Sequence, residues 1–156
     1  MTREVLVEEI NVELDLMEET VREIIELRAD VGDREPTTRE KVAAAAFLSQ
    51  FYNGIENILK RISRFCGEPL PIGEMWHAEL LNRFSAPPYG SLPFLFDRDL
   101  TLALSSYRKF RHVMHHGYGF QLDWERIREG ISILEDVFAR ARLRIEVYVR
   151  DVEIRA

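Results

Sequence analysis

The segment Arg111-His112-Val113-Met114-His115-His116-Gly117-Tyr118 places three of the chain's four histidines beside an arginine. Arginine stays charged at any working pH, whereas histidine exchanges a proton near neutrality. Together they supply what a reaction at phosphorus requires: a fixed positive charge to hold the phosphate and a group that gives or takes a proton. The neighbouring residues strengthen the case. Between Asp99 and Asp123 there is no acid at all, while Arg108, Lys109 and Arg111 all lie there. The formal charge of −6 at pH 7 argues on average against a nucleic-acid partner, since phosphate contacts call for lysine and arginine. The average misleads, because residues 1–30 hold ten acids against three arginines, so the acidity is local. Those acids suit the solvated face of a helix.

Three kinds of chemistry fit the cluster. In the first it is structural: histidines near a helix C-terminus favour the helix dipole, and Arg111 pairs with an acid on another helix. In the second, His112 and His116 have the i, i+4 spacing of zinc ligands, with a third ligand such as His77 or a glutamate arriving from elsewhere. In the third, a histidine moves a proton and an arginine stabilises charge on five-coordinate phosphorus, with no metal and no cofactor. Spacing alone leaves all three open.

Positioning falls to helices. Val7, Ile10, Leu14, Met17, Val21 and Ile24 alternate spacings of three and four, which predicts a first helix over roughly residues 3–30. Gly32 and Pro36 end it, and Thr37 with Glu40 forms a capping box for a second helix. Leu48, Phe51, Ile55, Ile58, Ile62 and Phe65 make the stripe of that helix, and Gly67, Pro69 and Pro71 close it. A short amphipathic helix around Glu74 to Phe84 precedes a turn-rich loop, Ser85 to Pro93. Asp97 or Asp99 can cap the next helix, which carries the cluster and should fade at Gly117. Asp123 caps the last, with the stripe Ile127, Ile131, Leu134, Phe138, Ala141, Ile145, Tyr148 and Val152. No period-two alternation is present, so the expected class is all-α: an up-and-down bundle of four main helices plus one short helix.

At about 100° per residue, Leu100, Leu104, Tyr107 and Arg111 project within roughly 60° of one another. Arg111 therefore continues an apolar stripe, where a guanidinium is costly unless paired or used. His112 and His116 lie one above the other on an adjoining face. His115 is closer in angle to Arg111 than His116 is, so spacing does not choose between them.

At 156 residues the chain suits one domain with a core of its own. The single cysteine, Cys66, cannot form an internal disulfide, which fits a reducing compartment and a small, partly buried apolar role. No run is apolar enough to span a bilayer, and Met1-Thr2-Arg3-Glu4 lacks the order of a signal peptide. A soluble cytoplasmic protein is expected.

Arg111, a polar His112, three residues, then His116, Gly117 and Tyr118 resembles the Arg-x4-His-x-Tyr motif of HEPN domains, specifically of the HepT-like ribonuclease toxins of prokaryotic toxin–antitoxin pairs. Phe51-Tyr52-Asn53-Gly54-Ile55-Glu56-Asn57-Ile58-Leu59 and Trp76-His77-Ala78-Glu79-Leu80-Leu81 are similar to a HepT-like subgroup. The resemblance spans about residues 5–150. It implies one HEPN-type bundle over 1–156, with the motif at the end of a late helix and one long helix after it.

Carried onto these residues, the resemblance implies a metal-independent endoribonuclease toxin, cleaving RNA by attack of the 2′-hydroxyl to leave a 2′,3′-cyclic phosphate. Arg111 would contact the scissile phosphate, and His116 would be general acid or base. His112 stands where the family commonly has Asn; unlike Asn it exchanges a proton, so the work can be shared between His112 and His116. Tyr118 matches the tyrosine that a nucleotidyltransferase (MNT) antitoxin modifies with AMP, placing charge and bulk near Arg111. The resemblance also implies a homodimer with two motif copies in one cleft, which would let the apolar face bearing Arg111 end at a subunit interface. The alternative is a catalytically silent HEPN-like module that binds or assembles with the nucleotidyltransferase or with nucleotides, a role the acidic first helix would serve.

Among the remaining polar residues, Tyr52, Asn53 and Glu56 suit contacts beneath the cleft, with Asn53 or Glu56 as a partner for Arg111. His77, beside Trp76, can reach the motif but reads first as a packed or capping histidine, and His115 is a further supporting candidate. Trp124 suits packing at the start of the last helix. Arg140, Arg142, Arg144 and Arg150 can extend an RNA surface, but Glu146, Asp151 and Glu153 among them favour a solvated face.

Overall fold

Four long helices and one short one follow from the periodicities above. A computed structural model describes residues 1–155. It contains α1 (Arg3–Val31), α2 (Thr38–Phe65), α3 (Trp76–Asn82), α4 (Arg98–His116), a 3-10 turn (Gly119–Gln121) and α5 (Trp124–Ile154), with no strand among the described residues. The caps explain the boundaries. Thr37 and Glu40 form the reciprocal box at the start of α2, Thr37 N–H donating to Glu40 Oε1 at 2.9 Å and Glu40 N–H to Thr37 Oγ1 at 3.2 Å. Arg34 adds two bonds to the same carboxylate, which holds it at about 2, well below the usual range for glutamate. Asp97, not Asp99, caps α4 by accepting from Leu100 N–H at 2.8 Å, and Asp123 caps α5.

The topology is up-and-down. Arg61 of α2 meets Glu9 and Glu13 of α1, while Gly54, further back along α2, faces Met17, so the two helices run antiparallel. A Cβ at Gly54 would lie 2.5 Å from Met17 Cγ; glycine is what lets the helices approach this closely. On the other side, Asp97 pairs with Arg140 and Tyr107 with Gly130, setting α4 antiparallel to α5. Arg142 of α5 reaches Asp15 and Glu18 of α1 and closes the ring.

The buried faces follow the sequence with two shifts. In α1 the stripe begins at Leu6, with Val7 half-buried. Near the end of α5, Val149 and Val152 are buried, and Tyr148 sits at the edge with its hydroxyl 3.8 Å from Cys66 Sγ. Tyr148 packs its ring against the core from that edge and keeps its polar tip off it, as an amphipathic side chain does. Burial pushes the Cys66 thiol up in pKa, consistent with an inert packing role.

Phe51 of α2 joins the helices at the centre of the core, edge-on to Tyr107 of α4 (5.2 Å between centroids) and to Phe138 of α5 (5.9 Å). The Tyr107 hydroxyl donates to the Gly130 carbonyl at 2.6 Å in a fully buried setting. Tyr107→Phe is expected to cost about 1 kcal/mol, the net worth of such a bond, measured as a lower urea midpoint with an unchanged slope.

The loop after α3 is anchored. Leu95 and Phe96 N–H both donate to the Phe84 carbonyl (2.9 and 3.1 Å), with Leu92, Leu95 and Phe96 buried. This closure seats α3 against both α2 and α4. Among the described residues no helix is long and apolar enough to cross a membrane.

Candidate active site

The stripe Leu100, Leu104 and Tyr107 is buried within the chain, and Arg111 follows it half-buried at the end of α4. Its partner comes from α3. Arg111 NH1 lies 2.6 Å from Nε2 of His77 and 3.1 Å from Nδ1. On its other side His77 Nδ1 lies 2.5 Å from Oε2 of Glu56, a carboxylate only 2 % exposed. A guanidinium nitrogen this near to both ring nitrogens lies over the face of the imidazole, while the Nδ1 edge of the ring meets Glu56. A buried carboxylate and a guanidinium face each other across one imidazole.

The surroundings fix that ring. Trp76 and His77 have centroids 3.5 Å apart at 31°, and the Lys60 ammonium lies 4.7 Å from the Trp76 ring. Below, the Tyr52 hydroxyl is buried without a hydrogen-bond partner, as is Nε of Arg111. Burial, then the charge of Glu56, pushes the Tyr52 phenol far above its ordinary pKa, while Arg108 and Arg111 oppose the shift.

Above this layer an open groove of about 1290 Å³ runs between α3 and α4. Arg108, Lys109, Arg111, His112, His115 and His116 line one side, and Met75, Trp76 and His77 the other; Glu74 is its one acidic lining residue. The His112 and His116 rings stack at 4.7 Å, tilted by 45°, as their spacing requires. All three motif histidines are exposed, and none bonds to Arg111. Among the described residues no group of three or more His, Cys, Asp or Glu side chains is placed to hold a metal ion, since His77 faces Arg111 and Glu56.

The helix end that carries the motif is set by Gly117. Its φ of −120° is ordinary extended backbone, so it is needed for space: a Cβ there would lie 2.9 Å from the Val113 carbonyl, to which Gly117 N–H donates at 2.8 Å. Tyr118 follows, 70 % exposed and outside the residues that line the groove.

The expected site residues therefore separate into layers. Arg111, His112, His115, His116 and His77 share the groove, and Glu56 stands behind His77. Two readings need correction. Asn53, half-buried, makes no bond to Arg111, and Glu56 reaches it only through His77. His77 is not a cap, since Met75 holds that position in α3; it is the direct partner of Arg111. The apolar face bearing Arg111 also has its account within one chain, because it ends on His77. The loop Ser85 to Pro93 does not line the groove, and Arg83 instead lies over the Tyr89 ring at 4.1 Å. The C-terminal arginines are engaged elsewhere: Arg140 with Asp97 and Asp136, Arg142 with Glu146, Arg144 with the Phe94 and Leu95 carbonyls. The missed relation was legible in principle, since Glu56 is an acid set among Tyr52, Ile55 and Leu59 on an otherwise apolar face, and such an acid needs a polar partner.

Compared with known families, residues 43–152 match the model described as HepT-like protein, a span that holds every residue of the groove and of the layer beneath it. No curated protein and no solved structure matches.

Proposed function

This chain belongs to the HepT-like protein family, and from that premise we propose that it is a metal-independent endoribonuclease toxin acting through the groove between α3 and α4. The observation that carries the reading is the meeting of one anchored guanidinium and a stacked histidine pair in a single open, basic groove. The remaining donors of Arg111 bind a non-bridging phosphate oxygen and offset the charge that grows as phosphorus becomes five-coordinate. One of His112 and His116 takes the 2′-hydroxyl proton as O2′ bonds to phosphorus. The other gives its proton to O5′ as the P–O5′ bond breaks, leaving a 2′,3′-cyclic phosphate and a 5′-hydroxyl. His116 keeps the principal role given to it by the motif, and His112 is the second proton carrier. His115 lines the same wall as a supporting cation.

Regulation follows the same chemistry. A nucleotidyltransferase antitoxin adenylylating Tyr118 would add a phosphodiester anion and an adenosine one residue beyond the α4 cap, competing with RNA phosphate for the basic wall. The exposure of Tyr118 supports access for such an enzyme. A homodimer bringing two grooves together would extend the surface for RNA.

The test is direct. Protein treated with EDTA should still cut single-stranded RNA, and Arg111→Ala and His116→Ala should each abolish the cutting. Undiminished activity in both variants would sink the site assignment.

A further inference from the structure

The α4 wall of the groove carries only cations and histidines, but the facing wall holds one carboxylate, Glu74. The acid of α3 and the acid of the layer beneath are both satisfied, Glu79 by Arg83 and Glu56 by His77. Glu74 is exposed, and its side chain makes no hydrogen bond or ion pair among the described residues. A tight turn presents it. Trp76 N–H donates to the Gly73 carbonyl at 3.3 Å, which puts Glu74 and Met75 at the tip just before α3, with Met75 70 % exposed. A free carboxylate repels phosphate, so in a groove that takes RNA it is a cost unless the strand brings hydrogen-bond donors to it.

We propose that Glu74 is a specificity-determining residue that selects guanine in the strand lying in this groove, accepting hydrogen bonds from N1–H and the N2 amino group while the base lies on Met75. An ionised carboxylate only accepts, and it offers two oxygens side by side. On the Watson–Crick edges that an unpaired strand exposes, guanine alone carries two adjacent donors. Adenine and cytosine each set a ring acceptor next to the amino group, and uracil flanks its one N–H with two carbonyls. Each would turn a lone pair toward a carboxylate oxygen. Ribose hydroxyls are the same in all four nucleotides and offer one donor apiece. The two walls divide the work of recognition: the cations of α4 meet backbone phosphates, which carry no sequence, and the α3 turn meets the bases. Trp76 is stacked with His77 and carries the Lys60 ammonium, so the open apolar surface beside Glu74 is the thioether of Met75.

The choice of cutting site rests on the ribonuclease reading, but recognition of the base does not, and the test separates the two. Calorimetry measures binding of 2′-O-methyl tetranucleotides, which have no free 2′-hydroxyl to attack phosphorus, with one test base among uracils. The guanine probe should bind about 10-fold more tightly than the adenine or all-uracil probe, the discrimination usual for a bidentate contact to a base. Hypoxanthine, which lacks the N2 amino group, should fall between them. In Glu74→Gln, checked for wild-type helicity by circular dichroism, that order should collapse, because an amide sets a donor of its own against one of guanine's two. On mixed-sequence RNA the wild type should cut beside guanine. Glu74→Gln should lose that preference while its kcat/KM on guanine-free RNA rises about 2-fold or more, since a negative charge has left the groove. Equal binding of the probes, no binding of the guanine probe, or a guanine preference that survives in Glu74→Gln would overturn the proposal. So would cutting without regard to guanine, or a fall on guanine-free RNA, which would place Glu74 in the chemistry. A guanine preference lost in Glu74→Gln, in a protein that cuts no RNA, would leave Glu74 as the reader of the base and fail the ribonuclease reading alone.

Discussion

Arg111→Ala is expected to lower kcat/KM for RNA by about 10²–10³-fold, the usual loss when a preorganised donor to a developing anion is removed. The guanidinium is half-buried at the end of an apolar stripe and held by His77, so in the proposed reaction it would meet a phosphate already positioned. Arg111→Lys should recover little. An ammonium keeps the charge but lacks the planar fork that lies against His77 and presents parallel donors to a phosphate. The fold should survive both changes, because Glu56 and His77 still satisfy each other. Steady-state cleavage together with thermal unfolding checks this: a large kinetic loss in a variant with wild-type helicity is the expected pair of results.

The second large effect is on stability. Phe51→Ala removes the ring that touches Tyr107 and Phe138 at once, at a position with no exposure. Phe→Ala substitutions at such sites cost about 3–5 kcal/mol, and for a chain of this size that corresponds to a drop in Tm of about 6–20 °C. The loss falls where α2, α4 and α5 meet, one helical turn below Arg111. Calorimetry measures it; a drop of only a degree or two would mean that the core relaxes into the space and that Phe51 is not the junction described above.

The helices were legible because their signals are local. Alternating spacings, the Thr37–Glu40 box and Asp123 before Trp124 depend on residues within a turn or two of each other, and the boundaries they implied were met within a residue or two. The groove's α4 wall was legible for the same reason, since His112 and His116 must share a face at i, i+4. What joins Arg111 to Glu56 was not, because they sit 55 positions apart with the bridging histidine on a third helix. Periodicity marked Arg111 as a charge that needed a partner but carries no information on which side chain arrives across the bundle. The choice of His116 over His115 came from the motif's resemblance to HepT-like proteins, not from helix geometry. Both residues line the groove, so geometry alone leaves His115 in place as a neighbour.

The proposed function asks an acidic chain to bind RNA, and the distribution of its charge is compatible with that. Its acids concentrate on α1, where Glu9 and Glu13 pair with Arg61 of α2, and Asp15 and Glu18 with Arg142 of α5. The α4 wall, free of acids from Leu100 to Leu122, is left positive. Association should therefore weaken with rising salt, as phosphate contacts require.

The central claim is metal-free cleavage by the substrate's own 2′-hydroxyl, and an oligodeoxynucleotide containing one ribonucleotide tests it most directly. In EDTA the protein should cut only on the 3′ side of that ribonucleotide, leaving a 2′,3′-cyclic phosphate and a 5′-hydroxyl, with no product from His116→Ala. Cleavage at deoxynucleotide positions, or products ending in a 5′-phosphate and a 3′-hydroxyl, would contradict it.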